Sequence, residues 1–75
     1  MKNEEEMKMK ANVFLKSEIP VHVDFRQGYW KNGKILEVSS DFFLLEERLE
    51  GRMPIFFIEI NDIKPFKEIK KEVGK

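Results

Sequence analysis

From Val21 the chain alternates as VHVDF, with Val21, Val23 and Phe25 on one side and His22, Asp24 and Arg26 on the other. A period of two predicts a strand with one buried and one wet face. Pro20, which lacks an N–H, begins it, and Gln27-Gly28 turns the chain. A second strand follows through Trp30, Ile35 and Val38, with Leu36 on its other side. Asn32-Gly33 within it is either a second turn or a bend where glycine lets a tightly curled sheet close. Ser39-Ser40-Asp41 is a polar corner. Phe42 to Leu45 are four consecutive apolar residues, which predicts a strand buried on both faces or one facing a partner. Residues 46–52 read as a polar hairpin loop closed by Gly51, and Met53 to Ile60, MPIFFIEI, as a further strand. Asn61-Asp62 is expected to be a tight turn. Ile63 to Phe66 is then a last short strand whose Pro65 asks for an edge or a strand end.

Upstream, residues 4–16 read EEEMKMKANVFLK. Three leading glutamates suit the positive end of a helix dipole, and Met7, Ala11, Phe14 and Leu15 fall at helical spacing. Asn3 is placed to cap this helix; the first seven residues are either helix or tail. The pattern predicts a mainly β chain: a small, five-stranded, strongly bent antiparallel barrel with a short N-terminal helix. It is read as a single domain over residues 1–75, with helix or tail at 1–19, barrel at 20–66 and a basic tail at 67–75.

Phe25, one of Phe42 and Phe43, and one of Phe56 and Phe57 are expected in the core. Their neighbours then face the other side of the sheet, and apolar residues on both faces point to a subunit interface. Phe42, Leu44, Ile55 and Phe57 are the interface candidates, with the Ile55–Ile58 strand pairing with the Phe42–Leu45 strand of a second copy.

Charge and chemistry narrow the function. The chain has 14 basic and 14 acidic residues, but residues 20–63 carry a net charge of −3 and residues 64–75 a net charge of +3. Zero net charge gives no general attraction to nucleic acid. Without cysteine there are neither disulfides nor thiolate ligands. The charged N-terminus is no signal peptide, and no apolar run is long enough to span a bilayer; a cytoplasmic protein is expected. His22, the only histidine, has no metal-ligand or catalytic partners at recognisable spacing. Gly28 and Gly33 precede no helix, so a dinucleotide loop fails. No enzyme, metal or cofactor is expected. The remaining signal is Tyr29 and Trp30 among Arg26, Lys31 and Lys34, because rings stack on bases and cations meet phosphates. These five are the candidate single-stranded RNA contacts; the competing reading packs the rings on the N-terminal helix.

VHVDF, two glycines five residues apart at Gly28 and Gly33, KILEV, Asp41 and FFLL, preceded by FLKSEIPVHV and closed by IEINDIKPF, together resemble the Sm-like (LSm) superfamily, in particular its bacterial form. The resemblance covers residues 12–66, and SH3-like barrels share parts of it. It implies a helix followed by five bent strands, a ring-like homo-oligomer and single-stranded RNA as partner. The alternative is an SH3-like protein-interaction or structural module without nucleic acid. Asp41 follows Gly33 by eight residues, a wider spacing than the family usually has. Leu45 stands where the family's base-contacting asparagine is expected, and Glu59 and Ile60 where its arginine-glycine pair falls. Phe57 and Ile58 stand where the bacterial form has a lysine and a histidine. A carboxylate in place of a cation repels phosphate, so the resemblance carries the fold without the usual uridine pocket.

Overall fold

A computed structural model describes residues 2–66. Helix α1 (Lys2–Ser17) is followed by β1 (Val21–Phe25), β2 (Trp30–Val38), β3 (Phe42–Glu47), β4 (Gly51–Phe56), a 3₁₀ turn at Phe57–Glu59 and β5 (Ile60–Pro65). The strands form one antiparallel sheet in the order β4-β3-β2-β1-β5. Its two edge strands are consecutive in the chain, joined only by the 3₁₀ turn. The sheet must therefore curl until its edges approach at that turn, which makes it a bent barrel rather than a flat sheet. The expected basic tail at 67–75 lies outside the described residues. No helix among the described residues is long and apolar enough to cross a membrane.

Gly33 settles the second strand. It pairs with Val21 of β1 on one side and Glu47 of β3 on the other, so Asn32-Gly33 is a bend within β2 and not a turn. A Cβ at Gly33 would run into the carbonyl oxygen of Glu46; glycine alone allows β3 to come this close.

The core holds Val21, Val23, Phe25, Ile35, Phe43, Leu45, Ile55, Phe57, Ile60 and Ile63 from the sheet and the 3₁₀ turn, closed by Met7 and Ala11 of α1. Phe14 and Leu15 pack against its rim. The helix begins at Lys2, so Asn3 lies within its first turn and past the N-cap position. Its C-terminus is closed by Glu18 in the left-handed conformation (φ 57°). The Glu18 N–H donates to the Leu15 carbonyl at 3.3 Å and the Ile19 N–H to the Phe14 carbonyl at 3.2 Å. This is the Schellman pattern with glutamate where glycine is usual. Lys10 Nζ then pins the helix to β5 through Asp62 Oδ1 at 2.6 Å.

Four expectations about the strands need correction. Asn61-Asp62 is not a turn: both residues lie in β5, and the strand expected over Met53–Ile60 ends at Phe56. The chain turns at Phe57–Glu59 instead, because Phe57 is drawn into the core, 2% exposed, while its N–H donates to the Asp41 carbonyl at 3.0 Å. Ile55 and Phe57 are core residues and not interface residues; the side chains alternate the other way, leaving Phe56 and Ile58 exposed. The Phe42–Leu45 strand also has no edge to offer a second copy, since β2 and β4 occupy both of its sides.

Candidate nucleic-acid interface

The five candidate contacts do not converge on one face. Trp30 and Lys34 share the outer face of β2 with Asn32, and the register places Asp24 opposite Trp30 and His22 opposite Asn32. Lys31 lies one residue out of phase, opposite core residue Val23. It extends to Glu50, 3.4 Å away, with its ammonium 5.9 Å from the Tyr29 ring centre. Tyr29 stacks on Phe25, with centroids 4.4 Å apart and planes at 12°, so one face of its ring is already covered. Arg26 is exposed in the β1–β2 turn, where its N–H donates to the Glu59 carbonyl at 2.9 Å. Tyr29 and Trp30 thus pack on Phe25 and His22, and both stay substantially exposed, which removes the reading in which they are covered by the helix.

The Trp30 ring, 59% exposed, stands at an open groove of about 590 Å³. Asn32, Gly33 and Lys34 line one side of it, Glu46, Glu47, Arg48, Leu49 and Gly51 of the β3–β4 hairpin another, and Pro20 and Phe66 complete the lining. One oxygen of Glu47 accepts the N–H groups of Leu49 and Glu50, at 2.9 and 2.7 Å. That carboxylate is therefore committed to holding the hairpin. Lys34 is paired in register with Glu46. The groove lining carries as many carboxylates as cations, with a large ring and an exposed leucine beside them.

A polar network backs the ring. His22 lies 5.4 Å from Trp30 between ring centroids. Its Nδ1 is 2.7 Å from Asn32 Oδ1 and its Nε2 is 3.1 Å from Asp24 Oδ1. Lys64 of β5 reaches the other oxygen of Asp24 at 3.3 Å. Sequence pattern did not single out Asn32 and Asp24 as contributors to this face. The signal was there in the period of two, which puts Asn32 between Trp30 and Lys34; Arg48, Leu49 and Phe66 carried no comparable signal.

The Asp62 carboxyl titrates below its usual value. Burial pushes its carboxyl up, but the hydrogen bonds from Lys10 and from the Ile63 N–H, with the charges of Lys10 and Lys64, outweigh this and hold it below the usual value of 3.8.

At the opposite end of the barrel, the β2–β3 corner and the 3₁₀ turn meet through the Phe57–Asp41 hydrogen bond. This is where the resemblance locates a nucleotide pocket. Of the residues at the family's pocket positions, Phe57 and Ile60 are buried there and Leu45 is buried further along β3, leaving Ile58 and Glu59 exposed. On the outer surface beside it, Phe42 and Leu44 of β3 pair across to Phe56 and Pro54 of β4. The Phe42 and Phe56 rings are 5.5 Å apart.

The helix, the strand order and the double pairing of β2 at Gly33 define the Sm-like fold. A crystal structure of the pleiotropic translational regulator Hfq superposes on this chain with a TM-score of 0.67 and 20% identity, covering 75% of this chain and 92% of the Hfq chain. At that identity the likeness establishes the fold alone. No protein-family model and no curated protein matches this sequence.

Proposed function

We propose that this chain is a self-associating Sm-like module that binds single-stranded RNA weakly through the outer face of β2. The observation that carries the reading is the Trp30 ring, exposed at a groove with Lys34 further along the same face. An exposed indole offers a stacking surface to any base, worth about 1–3 kcal/mol per base, while Lys34 lies close enough to meet a phosphate. The likeness to a translational regulator supports the same class of ligand. Tyr29 and Lys31 would act as a secondary contact around the β1–β2 turn, with Arg26 beside them. The residues buried at the family's pocket position leave no ground for uridine preference.

The edges of the sheet support self-association. In antiparallel pairs, residues alternate between pointing their main-chain groups at the partner strand and away from it. Phe57 donates to Asp41 in the β3–β4 ladder, so Arg52, Pro54 and Phe56 point outward from β4. Phe66 donates to Pro20 in the β1–β5 ladder, so Ile63 and Pro65 point outward from β5. Pro65 has no N–H, and the Ile63 N–H is already held by Asp62 Oδ1 at 2.9 Å. At these positions β5 presents carbonyls only, while β4 presents the N–H groups of Arg52 and Phe56. The two edges complement each other, and two β5 edges do not. Pairing β4 on β5 is the arrangement that gives the β5 carbonyls their donors, so a second copy is taken to add head to tail, with Phe42, Leu44 and Phe56 beside the seam; repeated, this gives a ring or a filament.

A second reading, a protein-interaction module, is favoured by the equal number of carboxylates and cations in the groove and by Leu49, 89% exposed, on its wall. Titration of uridine-rich and adenine-rich oligonucleotides at low and high salt, with Trp30→Ala and Lys34→Ala, separates the two. The RNA reading expects salt-dependent binding that Trp30→Ala weakens for every sequence. Absence of binding at low salt rejects it and leaves the protein module.

A further inference from the structure

The only histidine and the only tryptophan of the chain stand side by side on the face proposed above for RNA, and the inference drawn from them rests on that proposal. His22 has an oxygen at each ring nitrogen, Asn32 Oδ1 at Nδ1 and Asp24 Oδ1 at Nε2. A neutral imidazole has a single N–H and satisfies one acceptor; the imidazolium satisfies both. Asp24 cannot offer a donor while ionised, but Asn32 can, by turning its amide to present the NH₂ group. Loss of the second proton from His22 therefore has one inexpensive remedy: the ring keeps its proton on Nε2 for Asp24, and the Asn32 amide reverses to donate to Nδ1.

Asn32 lines the groove beside Trp30, so this reversal is visible to a ligand. We propose that protonation of His22 switches Asn32 from acceptor to donor toward a bound base and adds one positive charge beside the Trp30 ring. Nucleic acid then binds more tightly in mildly acidic than in mildly alkaline solution. Histidine is the side chain that ordinarily changes charge in that interval. The other charges on this face are Asp24 of β1, Lys64 of β5, which is in register with His22 and bonded to Asp24, and Lys34 of β2. Asp24, with His22 Nε2 at one oxygen and Lys64 Nζ at the other, lies between the imidazolium and the ammonium and screens them from one another.

The test uses the full chain. Trp30 emission and the His22 ring proton resonances are followed from about pH 5 to about pH 8, the range over which imidazole changes charge. The expected result is one shared midpoint, with emission falling as the ring is protonated and His22→Gln abolishing the emission step. Adenine-rich oligonucleotide is then titrated at the two ends of that range. One added charge should steepen the dependence of log affinity on log salt by about 0.7 on the acidic side. His22→Gln should bind equally at both ends, and Asn32→Ala should keep the added charge while losing any pH-dependent preference between adenine-rich and uridine-rich strands. RNA affinity that is the same at both ends, or a pH dependence that survives in His22→Gln, overturns the switch while the RNA reading stands. Absence of binding at both ends overturns the RNA reading and the switch's effect on binding with it. In that case an emission step lost in His22→Gln isolates the failure to the ligand and not to the His22–Trp30 coupling.

Discussion

Gly33 lies so close to Glu46 that the backbone of one leaves no room for a side chain on the other. A Cβ at Gly33 would meet the Glu46 carbonyl oxygen and lie 3.1 Å from Leu45 Cγ. The obstacle is backbone held in a ladder, which cannot rotate aside. Gly33→Ala should therefore cost about 2 kcal/mol or more, as overpacking of a filled site does. That corresponds to a fall in Tm of at least about 8 °C for a chain this small. Gly28 is the control: nothing lies within 4 Å of the place a methyl group would take, and the only obstacle is its φ of 100°. Gly28→Ala should be milder, about 1–2 kcal/mol from backbone conformation alone. Thermal melts of the two variants followed by circular dichroism give the ordering.

Glu18 adopts the left-handed conformation that glycine adopts without strain. Glu18→Gly should stabilise the fold by about 1 kcal/mol, since the closing hydrogen bonds of α1 use main-chain atoms and survive the change. A rise in urea midpoint without a change in the denaturant slope is the expected readout.

Asp62 ties α1 to β5, and its carboxyl titrates below the usual value when folded. A depressed folded value means the stabilisation is fully present above the unfolded value and is lost as the pH falls through the folded one. Wild type should thus lose more stability than Asp62→Asn on going from neutral pH to below about 3.8. At neutral pH the variant should cost at most about 1 kcal/mol, because the pair is part exposed. Urea unfolding at the two pH values checks both statements.

Phe56 and Phe57 are adjacent and serve opposite purposes. Phe57→Ala should cost about 3–5 kcal/mol and unfold so small a chain, because the ring is buried in the core. Phe56→Asp should leave the fold intact and split any assembly, since Phe56 sits on the outward edge of β4 beside Phe42. Light scattering with circular dichroism on both variants separates the outcomes. Monomer mass for the native protein across a wide concentration range would instead remove the self-association proposal.

The strands and the helix face were legible along the chain because both are local patterns. VHVDF could be buried only through Val21, Val23 and Phe25, and Met7, Ala11, Phe14 and Leu15 could share only one side of a helix. The two glycines marked where the chain must turn or bend, although whether Asn32-Gly33 turned or merely bent depended on β3 arriving against Gly33. Trp30 was legible as a candidate contact, but whether its ring stood open or packed on the helix was not, nor that Lys31 faces away from it, nor that His22, Asn32 and Asp24 stand beside it. The phase of the IFFI run was set only when the strands packed. Four successive apolar residues carry no alternation, so pairing with Phe42–Leu45 had to choose Ile55 and Phe57 for the core and leave Phe56 and Ile58 outside. The same holds for the edges. A proline in a strand says only that one N–H is missing; the ladder on its other side decides that Pro54 and Pro65 both face outward, on the two edges proposed to meet a second copy.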